Sequence, residues 1–313
     1  MTCNFKMKNK FFIRKIWFSF LFILFTLFLS CTSVSNKKIN ELYPVSTKDV
    51  TNIFTNIKSV HPHWISIADG VDYFQGKISS PKLEFYSLQI DLTSPNLHIV
   101  VRGGALADDG STLNTKVSSF TRDNNLFAGI NTAPFDFVSS KEGLPVKNVG
   151  IVISDGVLLS HTVPLYDALV FYKDGKAAVI NQSLIQSVEN IENAIGGFHQ
   201  ILAGGETTQK THNNTARHPR SAAGISPNGN YLYLLVIDGR QQKSIGATEE
   251  ETALLLLSLG SYEGINFDGG GSSALALRFP DGSVRVVNTP IHRFFPGQER
   301  AVAGCLGVYI KNN

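Results

Sequence analysis

From about residue 64 onward, short apolar runs alternate with clusters of Gly, Asn and Asp. That rhythm predicts strands joined by tight turns. KLEFYSLQIDL (82–92) and LHIVVR (97–102) are predicted strands flanking the turn TSPN. GIVISDGVLLS (150–160) and LVFYKDGKAAVI (169–180) each place Asp-Gly between β-rich runs, the signature of a hairpin. SVENIENAIGGF (187–198) starts like a helix and breaks at Gly196-Gly197, and ETTQKTHNNTARHPR (206–220) has no apolar period and predicts a surface loop. With no internal repeat and no clear linker, the pattern predicts one α+β domain over 61–313, a mixed sheet with hairpins and at least one strand-helix-strand crossover.

The segment 220–290 carries the most order. SAAGIS and YLYLLVI flank Pro227-Asn228-Gly229-Asn230, and pairing about Asn-Gly sets Arg220 opposite Ile237. TEEETALLLLSLG (248–260) is a helix: Thr248 with Glu251 forms a capping box, and Gly260 is the expected stop. GINFD (264–268) follows as a strand. Strand, helix and strand make a crossover, so the two strands run parallel and Asp238 and Asp268 leave the sheet at one edge. If the strands are adjacent, DGR and DGGGSS face one crevice. ALALRF then turns at Asp281-Gly282 and returns through VRVVN, bringing Asn288 beside Leu275. Arg220, Asp238, Arg240, Asp268, Gly269, Gly270, Gly271 and Asn288 therefore converge from four passages of the chain.

Charge changes the picture only at the N-terminus. The formal net charge is +3, but residues 1–30 hold five cations and no acid, which leaves −2 for the remainder. A mildly acidic body offers no electrostatic footprint for nucleic acid. The basic start runs into IWFSFLFILFTLFLS (16–30), short for a membrane span and suited to the apolar region of an export signal. Cys31 follows in FLSC, a lipobox-like site of lipidation. The expectation is a signal peptide over 1–31, a polar tether over 32–60, and an exported lipoprotein held at the cell envelope by its lipid. An uncleaved anchor is the alternative, and it too exports the body. Cys305, in the apolar run AVAGCLGVYI, is expected as a small buried hydrophobe, with no disulfide available to it.

Several residues at the shared edge suit anion chemistry. Backbone N–H groups of Gly269, Gly270 and Gly271 with the hydroxyls of Ser272 and Ser273 can form a nest for a phosphate. Arg220 and Arg240 add planar, bidentate donors. Asp238 and Asp268 are candidate paired carboxylates for acid/base or nucleophilic work at a sugar carbon. A tight turn is the plain alternative for the glycines, and strand-end capping for the aspartates, Asp238 above all. Glu249, Glu250 and Glu251 fit the first helical turn, where the dipole favours acids. In AGINTAPFDF, Asn131 precedes Pro134-Phe135, and an amide beside an aromatic face suits sugar recognition. No spacing of His or Cys indicates a zinc site, no cofactor is called for, and nothing requires a divalent ion at the aspartates.

Taken together, INTAPF, VGIVISDGVL, HPRSAAGI, LLVIDGR, GATEEETALLLLSLG, GINFDGGGSSAL, VVNTP and ERAVAGCLGVYI resemble the phosphodiester glycosidase family. They span about 130 to 310 in the family's usual order. The resemblance implies hydrolysis of a sugar-1-phosphodiester on the glycosidic side, acting on envelope or exopolysaccharide material, with Asp268 and then Asp238 as catalytic carboxylates. One departure is Thr132-Ala133-Pro134, where the family commonly has glycines. The competing readings are a non-catalytic polysaccharide-binding protein on the same scaffold, a phosphodiesterase cleaving P–O, and a structural envelope protein.

Overall fold

A computed structural model describes residues 55–102, 106, 111–208, 211 and 214–311. The predicted signal, Cys31 and most of the tether lie outside the described residues.

YLYLLVI became the centre of the molecule because it is apolar on both faces. In the Tyr231–Ile237 strand, Leu232, Leu234 and Val236 enter one core while Tyr233, Leu235 and Ile237 enter another. A run buried on both faces must lie between layers. Its sheet has eight strands, in the order Ile65–Ala68, Val71–Ser79, Lys82–Asp91, Tyr231–Ile237, Arg220–Ile225, Glu263–Asn266, His199–Ala203 and Glu206–Thr207.

On one face lies the helix Glu249–Leu259, with Ala253, Leu255, Leu256 and Leu259 packed against Phe85, Leu235 and Ile237. The other face shares its core with two five-stranded sheets, which contribute Leu169 and Ile195 from one and Ile130, Leu275 and Leu306 from the other. The second of these is ordered Val284–Val286, Leu275–Arg278, Ala128–Asn131, Cys305–Ile310 and Leu97–Arg102. A short helix, Val117–Asp123, covers it, and Cys305 is fully buried there with its thiol pKa raised by burial. The α+β class holds.

Most local expectations hold. The Asn-Gly hairpin pairs Arg220 with Ile237, and both Asp-Gly hairpins form. The helix has its capping box, and Gly260 ends it with φ 116°, a left-handed value that suits glycine. Three expectations change. The crossover strands Tyr231–Ile237 and Glu263–Asn266 run parallel but are not adjacent, because Arg220–Ile225 lies between them, antiparallel to each. All six residues of that middle strand are buried, so both of its backbone edges need partners. Second, Ile191–Gly196 is a strand, paired on both sides in the other five-stranded sheet; burial of Ile191, Ala194 and Ile195 outweighs the helix-like lead-in. Third, the predicted strands 82–91 and 97–102 both form, but in different sheets.

Candidate active site

The parallel course of the two crossover strands brings Asp238 and Asp268 out at one sheet edge, at the start of the Arg220–Ile225 strand. Their surroundings differ.

Asp238 is 2% exposed and its carboxylate is fully engaged. Oδ1 accepts from Asn288 Nδ2 at 3.0 Å, and both oxygens accept from the Thr289 N–H at 3.1 Å. Burial pushes its pKa up to about 6, against the pull of those donors. Asn288 also donates to Ser273 O and accepts from the Leu275 N–H at 2.9 Å. Asp238 and Asn288 thus tie three segments together beneath the edge. Arg220 is equally committed: Nε donates to Ala247 O, Nη2 to Ala216 O and Nη1 to Glu249 at 3.3 Å. Glu249 in turn is held by His199 and Asn214, and Arg217 pairs with Glu251. The first-turn acids therefore brace the helix to the segment 214–220, whose end is drawn inward and is not the surface loop expected.

Asp268 is only partly buried. Its Oδ2 accepts from Ser272 Oγ at 2.5 Å, and Ser272 Oγ itself accepts from Arg300 Nη1 at 3.1 Å. Loss of surrounding water raises the Asp268 pKa, opposed by Ser272, the charge of Arg300, the Gly269 N–H and the charge of Arg240. Asn131 is fully buried behind it, its amide donating to Asp268 O at 2.6 Å while its oxygen accepts from Ser221 Oγ and the Ala274 N–H. Those bonds clamp the loop, and they fill the Asn131 amide oxygen and one of its N–H groups. Thr132 and Ala133, where the family commonly has glycine, are buried as well, and Thr132 O accepts the Asp268 N–H.

The triple glycine does something other than expected. The Gly270 N–H donates to Pro219 O, the Ser272 N–H to Gly269 O and the Ser273 N–H to Gly270 O, so the loop's donors are largely satisfied within the protein. What the glycines permit is approach. A Cβ on Gly269 would stand 2.6 Å from Pro219 O, one on Gly271 2.6 Å from Arg300 Nη2, and one on Gly270 3.2 Å from Arg240 Nη2. Gly270 also has φ +63°, which disfavours a side chain. Two guanidiniums therefore lie directly against the loop, as candidate anion donors. Ser273 Oγ is buried beneath it without a partner.

Each guanidinium is steadied by an imidazole. Arg240 Nη2 lies 3.2 Å from His218 Nδ1, and Arg300 Nε donates to His292 Nδ1 at 3.3 Å. A guanidinium only donates, so both Nδ1 atoms accept and each ring carries its proton on Nε2. Both imidazole pKa values are lowered, first by burial and then by neighbouring arginines. Neutral partners orient the arginines without cancelling their charge, and among the described residues neither arginine has a carboxylate within ion-pair range. Arg300 and His292 are candidate site residues that sequence reasoning missed. Arg300 arrives because Cys305–Ile310 pairs with Ala128–Asn131 in a register that sets Cys305 beside Asn131. No local turn signal announces that pairing; the available hint was a lone arginine just before an apolar strand.

A partly exposed carboxylate and two guanidiniums whose charges act on it meet at a glycine loop on a layered antiparallel scaffold. The chain belongs to the phosphodiester glycosidase family, whose model matches residues 124–309 and so takes in every residue of this site. The fold is that of the zebrafish N-acetylglucosamine-1-phosphodiester alpha-N-acetylglucosaminidase catalytic domain auto-inhibited by its pro-peptide: TM-score 0.60, 21% identity, covering 80% of this chain and 86% of that one. A hypothetical protein from Synechocystis superposes with TM-score 0.58 at 14% identity, covering 81% of this chain and 64% of that one. The SPbeta prophage-derived uncharacterized protein YomE of Bacillus subtilis (strain 168) is 26% identical over 209 residues, or 64% of this chain. The chain spans only 30% of that relative's length.

Proposed function

We propose that the protein hydrolyses a sugar-1-phosphodiester at the glycosidic bond, releasing free sugar and a phosphomonoester. The observation that carries the reading is the grouping of Asp268 with Arg240 and Arg300 at one sheet edge. A phosphodiester has one negative charge, and the departing phosphate gains a second, with a second pKa of about 6. A leaving group of that kind needs little protonation at neutral pH and is helped most by positive charge placed where the new charge develops. Arg240 and Arg300 supply it. Water adds to the anomeric carbon as the carbon–oxygen bond to phosphate breaks, and the bonding pair leaves on the phosphate oxygen. Asp268, ionised, stabilises the cationic carbon or takes the proton from the attacking water. Asp238 and Arg220 hold the frame in which this happens, and Asn131 and Asn288 fix the loop.

The substrate is sugar-phosphate material of the envelope or an exopolysaccharide, met outside the cytoplasm by a protein exported through its N-terminal segment and anchored at Cys31. Support for that setting comes from the basic, then apolar, then Cys31 order of the N-terminus. Hydrolysis in water labelled with heavy oxygen tests the reaction: label is expected in the sugar, and label in the phosphate would identify P–O cleavage and end this reading.

A further inference from the structure

A second hollow lies at the pole opposite Asp268, and three strands of one sheet fix its place. Ala128–Asn131 ends at Asn131, whose amide holds Asp268 O, and starts beside Phe127. Cys305–Ile310 runs the other way, with Cys305 paired to Asn131 and Ile310 at the far end. A rise of about 3.3 Å per residue sets the ends of that strand roughly 17 Å apart. Leu275–Arg278 likewise runs from the Asn288 contact to Arg278. Phe127, Arg278 and Ile310 line a cavity of about 390 Å³, together with Asp69, Asn96, Asn125 and Lys311. Small-molecule sites span roughly 300–1,000 Å³, so the space suits a ligand of that class.

Backbone bonds set the walls. The Lys311 N–H donates to Asn96 O at 2.8 Å, the Asn125 N–H to Arg122 O at 3.1 Å, and the Asp91 N–H to Gly70 O, next to Asp69, at 2.8 Å. Arg278 is spent on four carbonyls, those of Leu126, Gly282, Thr121 and Arg122. The side chains of Asp69, Asn96, Asn125 and Lys311, by contrast, have no hydrogen bond or ion pair among the described residues. A carboxylate, two amides and an ammonium thus stand unengaged around one preformed hollow.

That mixture selects the ligand. An anion would meet the Asp69 carboxylate and a guanidinium whose donors are largely taken. A cation would meet Lys311 and Arg278. An alkyl chain would strip water from four polar groups and return nothing. A neutral polyol ring serves all of them: its hydroxyls accept from ammonium and amide and donate to carboxylate and amide oxygen, while its C–H face suits the Phe127 ring. We infer that this cavity is an accessory saccharide-binding site, taking a short neutral segment of a sugar chain. The site is independent of the reaction at Asp268. On a sugar polymer, a hold at this pole raises the effective concentration of the chain at the other.

The test is a titration of the isotopically labelled full chain, followed through amide shifts in nitrogen–proton correlation spectra. The probes are maltotriose, cellotriose, N-acetylchitotriose and inorganic phosphate. Saturable shifts with at least one trisaccharide are expected at residues 69–70, 96, 125–127 and 310–311. Asp69→Asn and Asn125→Gly should each weaken that binding about fivefold, as on loss of one hydrogen bond. Glycine suits position 125, where φ is 52°, so the second variant keeps the fold. Arg300→Ala, at the other pole, should leave the affinity unchanged. The inference is overturned by the absence of saturable shifts there with every trisaccharide, by shifts with phosphate alone, or by an affinity that responds only to Arg300→Ala. Turnover plays no part in the readout, so failure of the glycosidase reading would be seen separately.

Discussion

The two aspartates at the sheet edge share a residue type, a following glycine and a strand-end position, and yet they occupy opposite circumstances. Asp238 has each oxygen bonded to a donor from the 288–289 segment and almost no exposure. Asp268 is partly exposed and feels the charge of two guanidiniums whose other partners are neutral. The arginines repeat the contrast, with Arg220 spent on two carbonyls and Glu249 while, among the described residues, the side chains of Arg240 and Arg300 are bonded to His218, His292 and Ser272 with donors to spare. Hydrogen-bond accounting therefore separates scaffold from chemistry where residue type and position do not. A group whose capacity is already filled holds the frame; one that is oriented with hydrogen-bonding capacity to spare is the candidate for substrate contact.

Four substitutions sharpen that contrast. Arg220→Ala leaves Glu249 buried beside His199 with its cation removed, and the expected loss is about 3–5 kcal/mol of unfolding free energy, read by urea denaturation. Arg300→Ala is the opposite kind of change: kcat for a sugar-1-phosphodiester falls by roughly 10²–10³, as on removal of a transition-state anion donor, with a melting temperature close to wild type. Equal loss of stability in the two variants would erase the distinction.

Asp238 predicts a pH signature. Its folded-state pKa of about 6 stands above the ordinary 3.8, so the folded protein binds the proton more tightly than the unfolded chain. Stability from this group is full below pH ~4 and is lost as pH rises through ~6, an effect of roughly 3 kcal/mol at most. Thermal melts from pH 4 to 7 should show that decline, and Asp238→Asn should flatten it. The smallest effect belongs to Ser272→Ala. Its hydroxyl lowers the Asp268 pKa, so removing it raises that pKa further. The acid limb of kcat/KM should then move to higher pH by up to about one unit, worth ~1 kcal/mol.

How far all this could be read from the chain depended on the range of the interactions. The Asn228-Gly229 hairpin, the Thr248–Glu251 box and the return of Asn288 to Leu275 are local, and each was legible from turn or cap chemistry. So was the meeting of Asp238 and Asp268 at one edge. What Asp238 and Arg220 do there was not legible, because the Thr289 N–H and Glu249 reach them through tertiary placement. The insertion of Arg220–Ile225 between the crossover strands has the same origin. Arg300 was missed because its position depends on a strand pairing with the 128–131 segment, far away in the chain. Composition reads the glycine loop as an anion nest, whereas the Gly270, Ser272 and Ser273 N–H groups are turned to carbonyls and the loop's bareness makes room for arginine heads.

The central claim is that Asp268, and not Asp238, acts on the substrate. Its most direct test is kcat of Asp268→Asn and Asp238→Asn on one methyl sugar-1-phosphodiester, at a temperature where circular dichroism shows both folded. The account predicts a loss of about 10³-fold or more for Asp268→Asn and a change within about tenfold for Asp238→Asn. Retained turnover in Asp268→Asn, or the larger loss falling on Asp238→Asn, would contradict it.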